Sequence, residues 1–110
     1  MATNISIYYK ENLLAEGVLD KDVILTDGNY YFDPEAVKLE HFQRTDRKYT
    51  CPYKGNCDYV DLIDPETKEI VAEGTSWVYD APKTGWEKIT GKYGFYTFDR
   101  GDVVIKEENN

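Results

Sequence analysis

Apolar and polar residues alternate with a period of two along most of the chain, a pattern that predicts β-strands with one buried face. The alternation is clear near the start, where Ile5, Ile7 and Tyr9 fall on one face. A polar turn follows, and residues 13–19 then return as a partner strand. The start of the chain therefore predicts a β-hairpin.

An Asp-Gly pair is the strongest local turn signal. Asp27 and Gly28 lie between the apolar stretches 23–26 and 30–32. This dipeptide permits the positive φ angles that a tight hairpin turn needs. These stretches are therefore predicted to pair with each other.

Two interpretations stay open for residues 34–42. Asp33 followed by Pro34 is typical of a helix start, with the aspartate as cap and the proline at the first helical position. Val37 and Leu39 at a spacing of two favour a short strand instead.

The second half of the chain is also β in pattern. Residues 56–63 and 69–79 predict a long hairpin closed by the turn at 64–67. The final predicted strands are 93–98 and 103–106.

Many short strands with few helices indicate an all-β, antiparallel barrel or sandwich. Residues 85–90 predict one short helical turn. We expect one domain over residues 1–110, with its core between about 5 and 106. The polar residues from Glu107 onward predict a frayed end.

Composition then excludes several classes of function. The chain has 13 Lys and Arg against 21 Asp and Glu, a formal net charge of −8. This charge disfavours nucleic acid and anionic lipid as partners. The basic residues Arg44, Arg47 and Lys48 are enough to meet a single phosphate at most. With no signal-like or membrane-length apolar run, we expect a cytoplasmic protein.

The cysteines and the single histidine predict neither a disulfide framework nor a metal site. Cys51 and Cys57 are too few for a disulfide scaffold, and His41 is the only histidine. A structural zinc site needs four ligands with tighter cysteine spacing. We therefore predict no metal and no cofactor.

Aromatic residues suggest a pocket or an interface. In the strand 93–98, Tyr93 and Phe95 point to one face, while Tyr96 and Phe98 point to the other. A strand with one wet face should be polar on that face. Either both faces are covered, or the second face lines a pocket or a subunit contact.

Aromatic, proline and glycine landmarks also follow one another in a recognisable order. They are Tyr31-Phe32 with Pro34, the stretch Tyr49-Thr50-Cys51-Pro52-Tyr53-Lys54-Gly55, Trp77 and Tyr79 with Pro82, Gly91-Lys92-Tyr93, Phe95-Tyr96 and Asp99-Arg100. Over roughly residues 5–106 this series resembles the domain-of-unknown-function family numbered 427. The resemblance implies a small single-domain protein with a compact, tent-like antiparallel β fold. This chain departs from the family pattern at residues 56–59, which add a thiol and a carboxylate.

Members of that family are sometimes labelled nucleotidyltransferase-like. A two-metal site for such chemistry needs paired aspartates on one strand face near a phosphate-holding loop. Asp58 and Asp61 fall on opposite faces of their predicted strand. The residues therefore do not support that label.

The loop at 51–55 is the predicted site. Lys54 beside Gly55 is suited to holding an anion, and Cys51 is a candidate nucleophile if a neighbour lowers its pKa. Each also has a structural interpretation, as a turn lysine and as a small buried residue. Arg100 is either an anion clamp or half of an ion pair at its turn.

We therefore expect an unidentified small molecule, either anionic or neutral, in an aromatic pocket around this loop. The predicted ligand-binding residues are Cys51, Tyr53, Lys54, Trp77, Tyr79, Tyr93, Tyr96 and Arg100. Two alternatives stay open. One is an enzyme that uses Cys51 or Lys54 covalently, and the other is an assembly module whose surplus aromatics form a homodimer or partner surface.

Overall fold

The alternating pattern folds into two antiparallel β-sheets in the computed structural model, which describes residues 2–109. The strands are β1 (Thr3–Tyr9), β2 (Asn12–Val18), β3 (Val23–Thr26), β4 (Asn29–Phe32), β5 (Phe42–Cys51), β6 (Gly55–Ile63), β7 (Ile70–Val78), β8 (Tyr93–Tyr96) and β9 (Val103–Asn109). The predicted all-β class is confirmed. No helix among the described residues has the length and apolarity to cross a membrane.

The strand order explains how the chain forms two layers. The small sheet has the order β2-β1-β9, and the large sheet has the order β3-β4-β8-β7-β6-β5. The predicted hairpins β1–β2, β3–β4 and β6–β7 all form. Neither sheet closes on itself, so the architecture is a pair of open sheets rather than a barrel.

The main core lies where the two sheets face each other, because each contributes one apolar face. Its fully buried members include Ile5, Ile7 and Leu14 from the small sheet, with Phe32, Val60, Leu62 and Phe95 from the large one. Phe95 packs edge to face against Phe32 and Phe42, with ring centroids 5.6 and 5.8 Å apart. Pairs in this geometry add stability beyond the burial of their area.

The undecided segment forms neither a regular helix nor a strand. Pro34–Ala36 and Leu39–His41 are short 3₁₀ turns, and between them Val37 makes one isolated bridge to Ala15. Asp33 does not cap the first turn but forms an ion pair with Lys92. The proline therefore begins a helical turn, after which Val37 packs into the main core, whereas Leu39 stays exposed.

A strand that the pattern did not reveal lies at the edge of the large sheet. β5 has a buried residue at each end, Phe42 and Cys51, but is polar and exposed between them. A charged edge strand prevents the unwanted pairing that an apolar edge would invite. Because most of β5 faces solvent, it lacks the alternation by which strands are recognised.

The expected frayed C-terminus is paired instead. β9 continues to Asn109, and Glu107 and Glu108 lie opposite Ile5 and Asn4 of β1. Glu107 also accepts a hydrogen bond of 3.1 Å from the hydroxyl of Tyr30 in the large sheet. This acidic end therefore contributes to holding the two sheets together.

Candidate functional site

The large sheet carries a second aromatic layer on the face turned away from the small sheet. Tyr31, Trp77 and Tyr79 are buried there together with Cys57 and Ile89. Phe32 and Val78, which follow Tyr31 and Trp77 along their strands, point the other way into the main core, so the middle of the sheet is apolar on both faces. This second layer explains why β8 carries aromatic residues on both faces. Phe95 enters the main core, while Tyr96 packs against the outer layer.

A cavity of about 290 Å³ opens on this outer face. Its lining residues come from five neighbouring strands, the β5–β6 turn and the position directly after β7, and they are Asn29, Tyr49, Lys54, Cys57, Tyr59, Trp77, Tyr79 and Tyr96. Several of them are direct cross-strand partners, namely Asn29 with Tyr96, Tyr59 with Trp77, and Tyr49 with Cys57. Cross-strand partners on one face lie within side-chain contact, so the sheet itself builds the cavity floor.

Trp77 is held in place by its neighbours on both sides. Its indole Nε1 donates a hydrogen bond of 3.2 Å to the hydroxyl of Tyr31, and its ring lies 4.9 Å from that of Tyr96. The indole crosses β8 directly over Gly94, where an added Cβ would lie 2.3 Å from Nε1. A side chain at position 94 would therefore displace Trp77 from the cavity wall.

Lys54 is the one buried lysine among the described residues, with a relative exposure of 7%. Its ammonium forms an ion pair with Asp27 and lies 5.6 and 5.7 Å from the ring centres of Tyr79 and Trp86. Burial by itself would lower the pKa of Lys54, but the hydrogen bond that its ammonium donates to Asp27 and the nearby Tyr31 raise that pKa overall. Lys54 therefore stays protonated at neutral pH and acts as a donor.

The thiol in the cavity wall is not an activated nucleophile. Cys57 is buried, and burial raises the pKa of its thiol, an effect that hydrogen bonds from Tyr79 and the Tyr49 backbone only partly offset. The pKa of Tyr79 is also raised, first by burial and then by Cys57. Both groups are thus neutral at pH 7, which suits binding better than covalent chemistry.

The structure brings together four of the predicted ligand-binding residues, Lys54, Trp77, Tyr79 and Tyr96. The other predicted residues lie elsewhere. Cys51 is buried but does not line this cavity, Tyr53 is 75% exposed, Tyr93 contacts Phe42 on the opposite face, and Arg100 lines a different cavity.

Asn29, Tyr49, Cys57 and Tyr59 belong to the cavity although they were not among the predicted site residues. Cys57 and Tyr59 lie two apart on β6, and a strand assignment alone places them on one face. Tyr49 becomes a neighbour of Cys57 only through the pairing of β5 with β6. Because β5 was not recognised, the strand pattern did not place Tyr49 in the site, although Tyr49 was one of the family landmarks.

The basic residues considered as a phosphate site are already neutralised. Arg44 bonds Asp58 and Asp80, Lys48 bonds Asp58, and Arg47 bonds Asp61. These contacts also account for the lowered pKa of Asp58, which Lys48 and then Arg44 cause. Within residues 2–109, no three His, Cys, Asp or Glu side chains cluster in a way that could hold a metal ion.

Comparison with known proteins supplies the family. No curated protein matches the chain at a significant level. A family model described as a domain of unknown function (DUF427) matches residues 2–107, nearly the full length. Because this match spans nearly the whole sequence, the chain belongs to the DUF427 family.

Proposed function

We propose that the outer cavity of the large sheet binds a small, flat molecule that carries a hydrogen-bond acceptor, either a carboxylate or a carbonyl. The observation that carries the proposal is the buried, protonated Lys54 in the wall of an aromatic cavity of about 290 Å³. Ligand pockets usually hold about 300–1,000 Å³, so the cavity suits a compact ligand of one or two rings.

The aromatic walls favour a flat ligand. Trp77, Tyr59 and Tyr96 line the cavity, and aromatic rings attract one another in offset and edge-to-face arrangements. Tyr49 is 49% exposed and stands at the cavity as an uncovered ring. A flat ring that enters would gain contact area while ordering few side chains, since these walls are already packed.

Lys54 favours an acceptor group on that ligand. An ammonium has three N–H donors, and Asp27 takes one of them. The amide of Asn29 adds a second polar group to the cavity wall. An acceptor placed beside Lys54 would form a charge-assisted hydrogen bond in a partly dry site, where such bonds are strong.

Non-covalent binding is better supported than a covalent enzyme. Lys54 would have to lose its proton to attack a carbonyl, and its raised pKa opposes this. The raised pKa of Cys57 likewise keeps that thiol protonated. Cys51 lies outside the cavity lining, so a ligand seated there would not meet its sulfur.

NMR titration with 2-naphthoate as the probe tests whether the outer cavity binds a flat carboxylate. We expect saturable shifts at the amides of residues 57–59 and 77, with weaker binding by cyclohexanecarboxylate and by the cationic 2-(aminomethyl)naphthalene. Tyr49→Ala should weaken 2-naphthoate binding about threefold to tenfold through lost ring contact. Lys54→Met should weaken it as well.

Tyr53→Ala is the matched control, because it removes an exposed tyrosine from the adjoining turn but leaves the cavity intact. Its affinity for 2-naphthoate should equal that of the unaltered chain. Equal losses in the Tyr49 and Tyr53 variants, or no saturable shift with any probe, would show that the cavity is only a packing feature of the sheet.

A further inference from the structure

A second cavity lies on the other side of Tyr96, at the open side of the two sheets. It measures about 240 Å³ and lies between β7, the end of β8 and the start of β9. Its lining is mostly apolar and includes Ala72, Phe95, Val103 and Ile105. It shares only Tyr96 with the aromatic cavity described above.

The cavity exists because β7 and β8 separate early. Only two residue pairs join them, Trp77 with Gly94 and Val78 with Tyr93. At the next position the buried hydroxyl of Ser76 donates a hydrogen bond of 2.7 Å to the carbonyl of Gly94. A side chain therefore satisfies this carbonyl where the ladder ends, and the two strands diverge beyond it.

A bulge in β7 keeps the gap open. The pairing of β6 with β7 shifts between Val60 and Leu62, which leaves extra residues on β7. In that shift the buried carboxylate of Asp61 accepts a hydrogen bond of 2.9 Å from the N–H of Gly74 and pairs with Arg47. The cavity wall is thus held by buried polar contacts rather than by a loose loop.

Arg100 stands at this cavity as an unneutralised cation. Its guanidinium lies 4.6 Å from the centre of the Tyr96 ring, and its backbone is held to Val103 by two hydrogen bonds of 2.9 Å. Within the described residues it makes no ion pair, since Asp99 accepts instead from the backbone of Ile105. Both edges of its planar donor fork are therefore free of carboxylate partners.

We propose that this second cavity binds a small amphipathic monocarboxylate, with its hydrocarbon part between the sheets and its carboxylate on Arg100. A guanidinium stacked on a ring is pre-organised for bidentate contact with a carboxylate. One cation matches one negative charge, while Glu73 in the lining and the net charge of −8 disfavour a polyanion. Phe98, 57% exposed, would cover part of the bound hydrocarbon.

The probe that tests this proposal is octanoate, titrated into the full chain and followed by NMR. We expect saturable shifts at the amides of Gly74, Gly101 and Ile105, and none with octylamine. Arg100→Gln should weaken octanoate binding about tenfold, the loss of one charge-assisted contact. Ala72→Leu should block binding by filling the cavity.

Lys106→Gln is the matched control for Arg100→Gln. Lys106 is also a cation stacked on a tyrosine, 4.8 Å from the Tyr8 ring centre, but it does not line the cavity. The Lys106→Gln variant should bind octanoate with the same affinity as the unaltered chain.

Four outcomes would overturn the proposal, three from the octanoate titration and one from the oligomeric state. The three titration outcomes are no saturable shift with octanoate, shifts confined to the aromatic cavity at residues 57–59, and equal affinity in the Arg100 and Lys106 variants. A second copy of the chain filling the cavity, seen as dimerisation that octanoate does not disturb, would overturn it too. Because the probes and responding amides differ, failure here leaves the 2-naphthoate result unaffected.

Discussion

At the scale of single residues, the outer cavity depends on two contacts between residues far apart in the sequence. Gly94 leaves room for the indole of Trp77, and Asp27 positions the ammonium of Lys54 by accepting one of its hydrogen bonds. Neither partner is close in sequence to the residue it serves. The aromatic cavity is therefore sensitive to substitutions that change the size of a side chain only slightly, such as glycine to alanine at position 94.

Gly94→Ala tests the close approach of the indole. The new Cβ would overlap Trp77, force the ring away from Tyr31, and cost about 1–3 kcal/mol of stability by overpacking. Urea denaturation measures the loss, and near-ultraviolet circular dichroism reports the moved indole. In a Trp77→Phe background the same substitution should cost clearly less, because the smaller ring leaves space. If Gly94→Ala lowers the free energy of unfolding equally in both backgrounds, the new Cβ does not clash with the indole of Trp77.

At the scale of elements, irregular strand pairing shapes the molecule as much as regular pairing does. β6 pairs with β7 through two register shifts, and β7 leaves β8 after two residue pairs. Both irregularities are held by buried side chains, Asp61 and Ser76. Bulges of this kind bend a strand locally and re-aim its side chains, and here they open the second cavity.

Asp61→Ala tests whether the buried carboxylate holds the bulge. The substitution leaves the N–H of Gly74 without its acceptor and should cost about 1–3 kcal/mol. Asp61→Asn should cost less, because its amide oxygen still accepts that hydrogen bond. Hydrogen exchange at the Gly74 amide should accelerate in the alanine variant well before global unfolding. Unchanged exchange at Gly74 would show that the backbone alone maintains the bulge.

At the scale of the whole molecule, the first and last strands, β1 and β9, are neighbours in the small sheet. β9 pairs with β1 along its full length, and Glu107 reaches across to Tyr30 of the other sheet. Burial and then the hydrogen bond to Glu107 raise the pKa of Tyr30. The C-terminal residues are therefore part of the contact between the layers.

Truncation after Lys106 tests this contact. Losing three paired residues and the Tyr30 hydrogen bond should lower the free energy of unfolding by roughly 1–3 kcal/mol, whereas Tyr30→Phe should lower it by about 1 kcal/mol. The truncation should also lower the pKa of Tyr30, which ultraviolet titration can follow. If the truncated chain is as stable as the full one, residues 107–109 do not stabilise the fold, as the frayed end predicted from the sequence would imply.

The pattern of apolar and polar residues was sufficient to predict hairpins and the faces of individual strands. Alternation and turn residues predicted the three hairpins, because these pair strands that are neighbours in the chain. The same alternation placed Trp77 and Tyr79 on one face and separated Phe95 from Tyr96. The ordered landmarks predicted the family, which the match over residues 2–107 confirms.

Long-range pairing was decided only by the tertiary structure. The polar strand β5 is stabilised by its ladder with β6 and by ion pairs to Asp58, Asp61 and Asp80, none of which leaves a period in its own sequence. Tertiary packing also buried Lys54 while leaving its neighbour Tyr53 in solvent. Residue types and spacing therefore determined the strands and their faces. Which strands met, and so which side chains share a cavity, depended on contacts between distant parts of the chain.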